Sequence, residues 1–284
     1  MTCYNRKART LYCLQQLFDA RERTANIALK VFLLDDASPD GTGDVVLSVY
    51  PEVTVIRGTG QLFWNRGMHR AMEVSTTQSF DYYLWLNDDT ILNSHSIKNL
   101  MDTMRWCRTR TGAEGIVVGT TESSEGSGIP TYGGRNRVSK FRPLRFELVS
   151  PAHEPRLCQT MNGNCVLIPA AVVQRIGLLD PIFRHSMGDT DYGFRAGKAG
   201  FKLWVMPGFA GVCEKNSSEG EWVDPKVPLV ERLQKVILPK ALPPLSWGIY
   251  TKRHAGMLWP LLWIWPYLNI VRTSLIRSLG IHRE

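Results

Sequence analysis

Hydrophobic and polar positions along the chain alternate between helical and strand spacing from residue 8 to about residue 205. Leu11, Leu14 and Leu17 fall on one helical face, and the apolar positions within 97–104 repeat that spacing. Short apolar runs at 31–34 and 82–86 predict buried strands. Strands that alternate with helices predict an α/β fold, with a mainly parallel sheet covered on both faces.

Two segments depart from this alternation. Residues 120–157 are rich in Gly, Ser, Pro and Arg, which predicts a functional loop or an excursion with short strands of its own. The strand pattern resumes at 165–168, and the run at 201–205 closes the series. We therefore predict an α/β domain over residues 1–224 and a helical, aromatic-rich extension over residues 225–284.

Composition and charge limit the partners. The chain has 284 residues, 44% of them hydrophobic, and a formal net charge of +8. A basic chain suits an anionic partner, but no basic stripe or known nucleic-acid motif is present, so we expect no nucleic-acid binding. The six cysteines form no CxxC pair and the N-terminus has no apolar leader, which predicts a reduced cytoplasmic protein.

Paired acids follow two of the predicted strands. Asp35 and Asp36 come directly after the run 31–34, and Asn87, Asp88 and Asp89 follow the run 82–86. Ligands of open α/β sheets bind at the carboxyl ends of strands, and crowded carboxylates there are stabilised by a cation or a ligand donor. The turn at 87–89 is the better candidate for Mg²⁺ or Mn²⁺, although helix capping would also account for one of its acids.

A third acidic site lies close to the start of a short helix that we predict from about residue 191 to 199. Asp189 and Asp191 are two residues apart and follow Gly188. Their carboxylates would interact favourably with the positive end of the helix, so capping is one interpretation. A general base for a hydroxyl group is the other.

Six short motifs in order resemble the inverting family-2 glycosyltransferases over about residues 2 to 215. They are Tyr4-Asn5-Arg6, Asp35-Asp36-Ala37-Ser38, Trp64-Asn65-Arg66-Gly67, Leu86-Asn87-Asp88-Asp89-Thr90, Asn162-Gly163-Asn164-Cys165 and Gly188-Asp189-Thr190-Asp191-Tyr192. The resemblance implies the nucleotide-diphospho-sugar transferase (GT-A) fold, which agrees with the alternation of strands and helices.

The resemblance also implies a role for each motif. Asp35, Asp36 and the segment 4–6 would form the nucleoside pocket, with Asn65, Arg66, Asn87 and Asp88 as further substrate contacts. Asp89 would hold Mg²⁺ or Mn²⁺ against the donor diphosphate. Asn162 and Gly163 would lie near the donor sugar. Asp189 would be the base that deprotonates the acceptor hydroxyl, with Asp191 as the alternative.

Three positions depart from the family pattern. Asn87 stands where the family more often has Asp, and Gly188 stands where a Glu often precedes the base. Residues 212–216 contain no histidine, whereas members of the family commonly have a metal-binding histidine after the last strand. The chain also begins at the end of the expected first strand, so we expect that the start lies upstream or that this edge is abbreviated.

The extension carries an unusual cluster of tryptophans. Four of the nine lie between residues 247 and 265, within a segment 245–277 that also has flanking Lys and Arg. The apolar run is shorter than the ~20 residues that a spanning helix needs. Contact with a membrane surface is one interpretation. A helical hairpin that packs on the domain or on a second subunit is the other, and both remain open.

The leading hypothesis is an enzyme that transfers a sugar from a nucleotide-diphosphate donor to a hydroxyl of a glycan or lipid-linked acceptor, with inversion. Cell-surface polysaccharide synthesis at the cytoplasmic face of a membrane would suit it. The alternative is a nucleotide-sugar-binding or scaffolding protein of the same fold without turnover. A nucleotidyltransferase is disfavoured because no Gly-rich signature with a basic residue lies near the start.

Overall fold

The computed structural model describes residues 1–278 and contains α-helices, β-strands and one 3₁₀ turn, Gly256–Leu258. The strands are β1 Thr2–Cys3, β2 Phe32–Asp35, β3 Thr54–Arg57, β4 Tyr82–Leu86, β5 Ile91–Leu92, β6 Ile116–Glu122, β7 Pro130–Tyr132, β8 Gly134–Ser139, β9 Arg142–Leu148, β10 Arg156–Cys158, β11 Thr160–Met161, β12 Cys165–Pro169 and β13 Leu203–Val212. The helices are α1 Lys7–Glu22, α2 Thr42–Val49, α3 Phe63–Ser75, α4 Ser96–Thr111, α5 Ala170–Ile176, α6 Gly188–Lys198, α7 Leu229–Val236, α8 Pro244–His254 and α9 Trp259–Ser278.

Three sheets organise the domain. β1, β2 and β3 are parallel neighbours, with Leu34 paired to both Thr2 and Ile56. The second sheet has the order β10-β13-β6-β12-β4, in which β12 runs antiparallel to both of its neighbours and β6 is parallel to β13. β4, β6 and β13 therefore share one direction. The predicted α/β fold with a mainly parallel sheet is confirmed; β12 reverses between β4 and β6, and the short strands β5, β7 and β10 also pair antiparallel at this sheet.

The excursion predicted at 120–157 does contain short strands. β7 pairs with β6, and β8 and β9 form an antiparallel hairpin that β11 extends into the third sheet. The hairpin packs on the extension, because Leu144 contacts the buried cluster of Phe183, Trp247 and Tyr250. The segment therefore connects the central sheet to the C-terminal helices.

The apolar stripes seen in the sequence form the core. Leu14 and Leu17 of α1 and Leu100 and Met104 of α4 are buried together with the inner face of β2. On the other side of the second sheet Trp85 of β4 contacts Tyr192 of α6, with ring centroids 4.8 Å apart. The predicted helix at 191–199 begins three residues earlier than expected, at Gly188. Asp189 and Asp191 therefore both lie in its first turn.

A short return strand fixes the acidic turn that follows β4. β5 begins two residues after Asp89 and pairs antiparallel with Gly211 and Val212 at the end of β13. Gly211 is in close contact with this strand, because a Cβ there would lie 2.0 Å from the carbonyl oxygen of Ile91. The absence of a side chain at Gly211 thus allows the turn at 87–89 to lie beside the last strand.

The extension folds as helices that pack on one another and on the domain. Trp247 of α8 donates its indole N–H to the carbonyl of Trp263 in α9, at 3.0 Å. Arg232 of α7 is buried and donates to side chains of Thr273 and Ser274 in α9. Pro266 lies inside α9 without ending it. Residues 279–284 of the predicted extension lie outside the described residues, and the boundary at 224/225 stays a prediction.

Replacing Gly211 by alanine should destabilise the fold. The added Cβ meets backbone rather than a movable side chain, so β5 or β13 must shift, at a cost of about 1–3 kcal/mol. Gly197→Ala on α6 is the control: no atom lies within 4 Å of its Cβ, and a helical alanine should stabilise by up to about 1 kcal/mol. Urea unfolding of both variants measures the difference, and equal stabilities would contradict the close approach at Gly211.

Candidate active site

The acidic turn after β4 is bound to the segment that precedes α1. Arg6 donates from Nη1 to Asp88 Oδ1 at 3.2 Å and to Asp89 Oδ2 at 2.7 Å. Asp88 is almost fully buried and also accepts a hydrogen bond from Thr10 at 3.4 Å. Burial raises the pKa of Asp88 to about 6, although the charge of Arg6 opposes this shift. The two acids and the arginine form one compact charged cluster.

The neighbouring segment 4–5 reaches the other acidic strand end. Tyr4 is exposed, and Asn5 adopts a left-handed φ of 53° and donates its N–H to Ser38 Oγ at 3.0 Å. Ser38 in turn donates its N–H to Asp35 at 3.0 Å. The segment 4–6 therefore joins the end of β2 to the turn after β4, which brings the first, second and fourth sequence motifs together.

Asn87 points toward a different partner from the two acids. Its Oδ1 accepts the indole N–H of Trp64 at 2.6 Å. The ring of Trp64 packs on Gly163, where a Cβ would lie 2.4 Å from the ring. Gly163 donates its N–H to Asp189 Oδ2 at 3.0 Å. A chain of direct contacts thus connects the acidic turn with the first turn of α6.

Trp64 is not among the site residues predicted from the sequence. It stands immediately before Asn65 and Arg66, which are predicted substrate contacts, and its place in that motif is the feature of the sequence that points to it. The absence of a side chain at Gly163 accommodates the indole ring of Trp64 in this structure.

Asp189 and Asp191 have opposite environments although they share one helical turn. Asp189 is half-buried and accepts, among the described residues 1–278, the N–H groups of Gly163 and Thr190 and the hydroxyl of Thr190. Burial raises its pKa. Asp191 has no exposed surface and accepts from Arg195 at 2.8 Å, Arg253 at 3.1 Å and His254 at 2.9 Å.

The pKa of Asp191 lies below its ordinary value. Burial acts to raise it, but the hydrogen bond from His254 and the charge of Arg195 together outweigh burial. Because its oxygens are occupied by side chains from α6 and α8, Asp191 faces the interior between the domain and the extension. Asp189 is the carboxylate of the pair that retains exposure.

Asp35 and Asp36 are both buried and are both occupied by donors from the chain itself. Asp36 accepts four backbone N–H groups at 2.8–3.1 Å, from Thr59, Gly60, Leu62 and Phe63. A carboxylate offers about four acceptor positions, so none of those on Asp36 remains for the base or ribose expected there. Asp35 accepts from Ser38, Gly43 and Arg57. In this structure the pair shapes the loop 58–63 and the start of α2.

Asn65, Arg66 and Asn162 also contact the protein backbone. Asn65 is buried and donates from Nδ2 to the carbonyls of Asp180 and Phe183, at 2.8 and 2.7 Å. Arg66 donates to the carbonyl of Pro181, and the backbone N–H of Asn162 donates to the carbonyl of Gly133. These residues therefore support the loops around the site.

The structure explains one departure from the family pattern. A Cβ at position 188 would lie 1.6 Å from Asn65 Oδ1, so the carboxamide of Asn65 fills the space that a side chain before Asp189 would need. Only glycine fits at 188 while Asn65 keeps this position. The absence of a Glu before Asp189 is thus coupled to a residue more than a hundred positions earlier in the chain.

The residues around Asp89 fit a hard divalent cation that is shared with phosphate. Cys213, just after β13, lies with its sulfur 3.7 Å from Asp89 Oδ1, and burial raises the pKa of this thiol to about 12, so it is neutral. Within residues 1–278 no group of three or more His, Cys, Asp or Glu side chains could hold a metal by itself. Mg²⁺ commonly takes one or two carboxylates plus substrate phosphates, which Asp88 and Asp89 can supply.

Comparison with known proteins identifies the class. The family model described as glycosyl transferase family 2 matches residues 1–161, and the chain belongs to this family. The predictions of a glycosyltransferase and of its GT-A type fold are confirmed, and the non-catalytic alternative is not favoured.

Individual relatives are more distant. The chain is 25% identical over 217 residues to the N-acetylglucosaminyl-diphospho-decaprenol L-rhamnosyltransferase of Mycobacterium tuberculosis strain H37Rv, a match that covers 68% of each protein. Residues 1–349 of S. aureus TarS superpose with a TM-score of 0.55 at 12% identity, over 100% of this chain and 91% of that one. The Pyrobaculum calidifontis mannosyltransferase PcManGT, solved with GDP-Man and Mn²⁺, gives 0.53 at 15% identity over 100% and 74%. The two structural matches show a shared fold.

Removing the carboxylate of Asp36 should cost stability before it costs ligand affinity. Asp36→Ala leaves four backbone N–H groups without their acceptor, and we expect a loss of about 3 kcal/mol or more in unfolding free energy. Asp44→Ala is the control, because Asp44 is an exposed acid on α2 and its loss should change stability by about 0.5 kcal/mol at most. Unchanged stability together with weaker nucleotide binding would instead support a direct nucleoside contact by Asp36.

Proposed function

We propose that this enzyme transfers a sugar from a nucleotide-diphosphate donor to a hydroxyl of a lipid-linked or glycan acceptor, with inversion at the anomeric carbon, in cell-surface polysaccharide synthesis. The observation that carries the proposal is the line of contacts Asn87–Trp64–Gly163–Asp189. This line joins an acidic, phosphate-compatible turn to a half-exposed carboxylate of raised pKa. A lipid-linked acceptor is supported by the name of the mycobacterial relative, which acts on a diphospho-decaprenol.

Asp189 is the proposed general base. Inversion requires the acceptor oxygen to attack from the side opposite the leaving nucleoside diphosphate, and a carboxylate on that side removes the hydroxyl proton as the bond forms. The N–H groups of Gly163 and Thr190 orient the carboxylate without neutralising it. Because burial raises its pKa, Asp189 accepts a proton more readily than an exposed aspartate. Transfer should therefore fall as pH falls through this raised pKa.

The donor diphosphate is proposed to bind between Arg6 and the turn 87–89. The Arg6 guanidinium is 40% exposed while it contacts Asp88 and Asp89, so it can also reach a phosphate oxygen. Asp89, with Asp88, would hold Mg²⁺ or Mn²⁺ at this place. When bound, such an ion neutralises the charge that develops on the leaving diphosphate. Tyr4 and Asn5 border the same opening and are the proposed nucleoside contacts that remain.

Asp191 is proposed as a structural residue rather than an alternative base. Its carboxylate contacts two arginines and a histidine and has no exposed surface. A hydroxyl of an acceptor could reach it only after these partners had moved. The same cluster fixes the rotation of α6, and with it the direction in which Asp189 points.

Replacing Asp189 by asparagine should abolish transfer without unfolding the protein. Loss of a general base costs about 10²- to 10⁴-fold in rate, while donor binding and melting temperature should change little. Asp191→Asn, two positions away, is the control: it leaves buried cations without their partner and should cost about 3–5 kcal/mol of stability. Nucleotide-sugar turnover by the Asp189→Asn variant at the wild-type rate, or a product with retained configuration, would refute the assignment.

Binding of a nucleoside diphosphate should depend on a divalent cation and on Asp89. Thermal shift with UDP, GDP or dTDP and Mn²⁺ together should exceed the sum of the shifts with either alone, because a ligand stabilises the folded state by RT ln(1 + [L]/Kd) and each ligand would lower the Kd of the other. Asp89→Asn should remove the cation-dependent part. Asp102→Asn, an acid on the outer face of α4, should keep it. An equal shift with EDTA would show that donor binding needs no metal.

A further inference from the structure

The two most exposed large hydrophobic side chains in the described part of the chain lie on neighbouring elements. Phe141, at the tip of the β8–β9 hairpin, is 92% exposed, and Met257, in the 3₁₀ turn after α8, is 95% exposed. Each tip lies between two regular elements, β8 and β9 for Phe141 and α8 and α9 for Met257. Neither side chain belongs to the core or to the proposed active site, and exposed apolar groups that cluster mark interaction sites.

One arginine joins the hairpin to the turn. Arg137 of β8 donates from Nε to the carbonyl of Pro143 at 2.9 Å and from Nη2 to the carbonyl of His254 at 3.0 Å. Phe141 is two residues from Pro143, and Met257 is three residues from His254. At ~3.5 Å per residue both apolar tips lie close to this one guanidinium. The hairpin and the turn therefore present a common edge of the molecule.

The edge continues along α9. Leu261, Trp265 and Leu268 are 65%, 54% and 53% exposed, and their spacing of four and three residues places them on one helical face. Arg272 follows on the same face, with its guanidinium 5.9 Å from the Trp265 ring centroid. Indole rings flanked by basic side chains are typical of segments that lie in the headgroup layer of a bilayer. No helix within residues 1–278 is long and apolar enough to cross a membrane.

The charge on this edge is mainly positive, with Glu147 near the end of β9 as the acid on the hairpin. Residues 134–146 contain five Lys or Arg and no Asp or Glu, and residues 239–278 likewise contain five and none. Lys140, Arg142, Arg145 and Lys252 are exposed and take part in no ion pair with any residue from 1 to 278. A two-fold dimer would bring these cations against their own copies. An anionic lipid surface complements them instead.

We propose that Phe141, Met257, the exposed face of α9 at Leu261, Trp265 and Leu268, and the basic residues around them form a docking surface for an anionic lipid bilayer. The apolar tips would enter the headgroup layer while the Lys and Arg side chains bind lipid phosphates. The inference rests on the proposed function, because docking at a bilayer would bring the enzyme to a lipid-linked acceptor. It includes the β8–β9 hairpin, which lies outside the segment 245–277 that the sequence indicated.

The docking surface is mechanically connected to the proposed base. α8 leads into the 3₁₀ turn with Met257, and its last two residues, Arg253 and His254, bind Asp191 of α6. Asp189 lies two residues from Asp191 in the same helical turn. Docking would therefore orient α6, and with it the base, relative to acceptors at the membrane surface.

Flotation of the purified full-length chain with lipid vesicles tests the proposal. We expect binding to vesicles of phosphatidylcholine with phosphatidylglycerol, weaker binding at high salt, and little binding to phosphatidylcholine alone. Phe141→Ser with Met257→Ser should lower the partition coefficient at least about ten-fold. Lys140→Gln with Arg142→Gln should lower it about five-fold for each charge removed. Val49→Ser, an exposed apolar residue on α2, is the control and should bind like the wild type.

Three results would overturn the proposal. Equal flotation with neutral and anionic vesicles would contradict the proposed binding of lipid phosphates by Lys and Arg. Unchanged flotation of both double variants would show that these residues do not form the docking surface. A dimer in sedimentation velocity that the same substitutions dissociate would make a second copy of the chain the occupant. Hydrolysis of a soluble nucleotide sugar, measured on the same samples, separates failure of docking from failure of the proposed function, because all of these variants should retain it.

Discussion

The cluster around Asp191 is the interaction on which the relation between α6, which carries the proposed base, and the C-terminal helices depends. The negative charge of a carboxylate without exposed surface must be balanced by buried donors, because water cannot reach it. Arg195, on the same helix as Asp191, supplies one of these donors. Arg253 and His254 of α8 supply the others. Loss of any one of these contacts would leave a buried charge unpaired, so the side chains of the cluster must keep their relative positions. These contacts define the position of α8 relative to α6. They thereby also define the positions of the helices that pack on α8.

The other acids divide according to how completely they are compensated. Backbone N–H groups fill the acceptor positions of Asp36, which makes it a support for the loop 58–63. Asp88 and Asp89 share the partly exposed side chain of Arg6, so a phosphate can compete for the guanidinium and a cation can compete with it for the carboxylates. Asp189 accepts the N–H groups of Gly163 and Thr190 and the hydroxyl of Thr190, and within residues 1–278 it forms no ion pair with a basic side chain. Burial raises its pKa although these hydrogen bonds oppose the shift, and this makes Asp189 the acid suited to accept a proton.

The sequence predicts the fold and the location of the site, since both depend on local pattern. Apolar runs that end at acids define β2 and β4, and the order of motifs identifies the family. The duties of individual acids could not be predicted in the same way. Asp36 is satisfied by a loop that returns to it more than twenty residues later, and Asp191 by a helix more than sixty residues later. Such long-range donors leave no periodic signal, so an acid inside a motif looks the same whether it contacts a ligand or its own chain.

The same limitation explains why the extension looked separable from the domain. Its composition changes sharply near residue 225, yet its functional connection is made by two adjacent residues, Arg253 and His254, that carry no distinctive pattern. One side of the α8–α9 pair completes the charge balance beneath α6, and the other presents tryptophan and leucine to the outside. A segment with these two faces cannot change its position on one side without changing it on the other. We therefore regard the extension as part of the catalytic unit: it holds the proposed base in place and directs it toward the surface where a lipid-linked acceptor would be found.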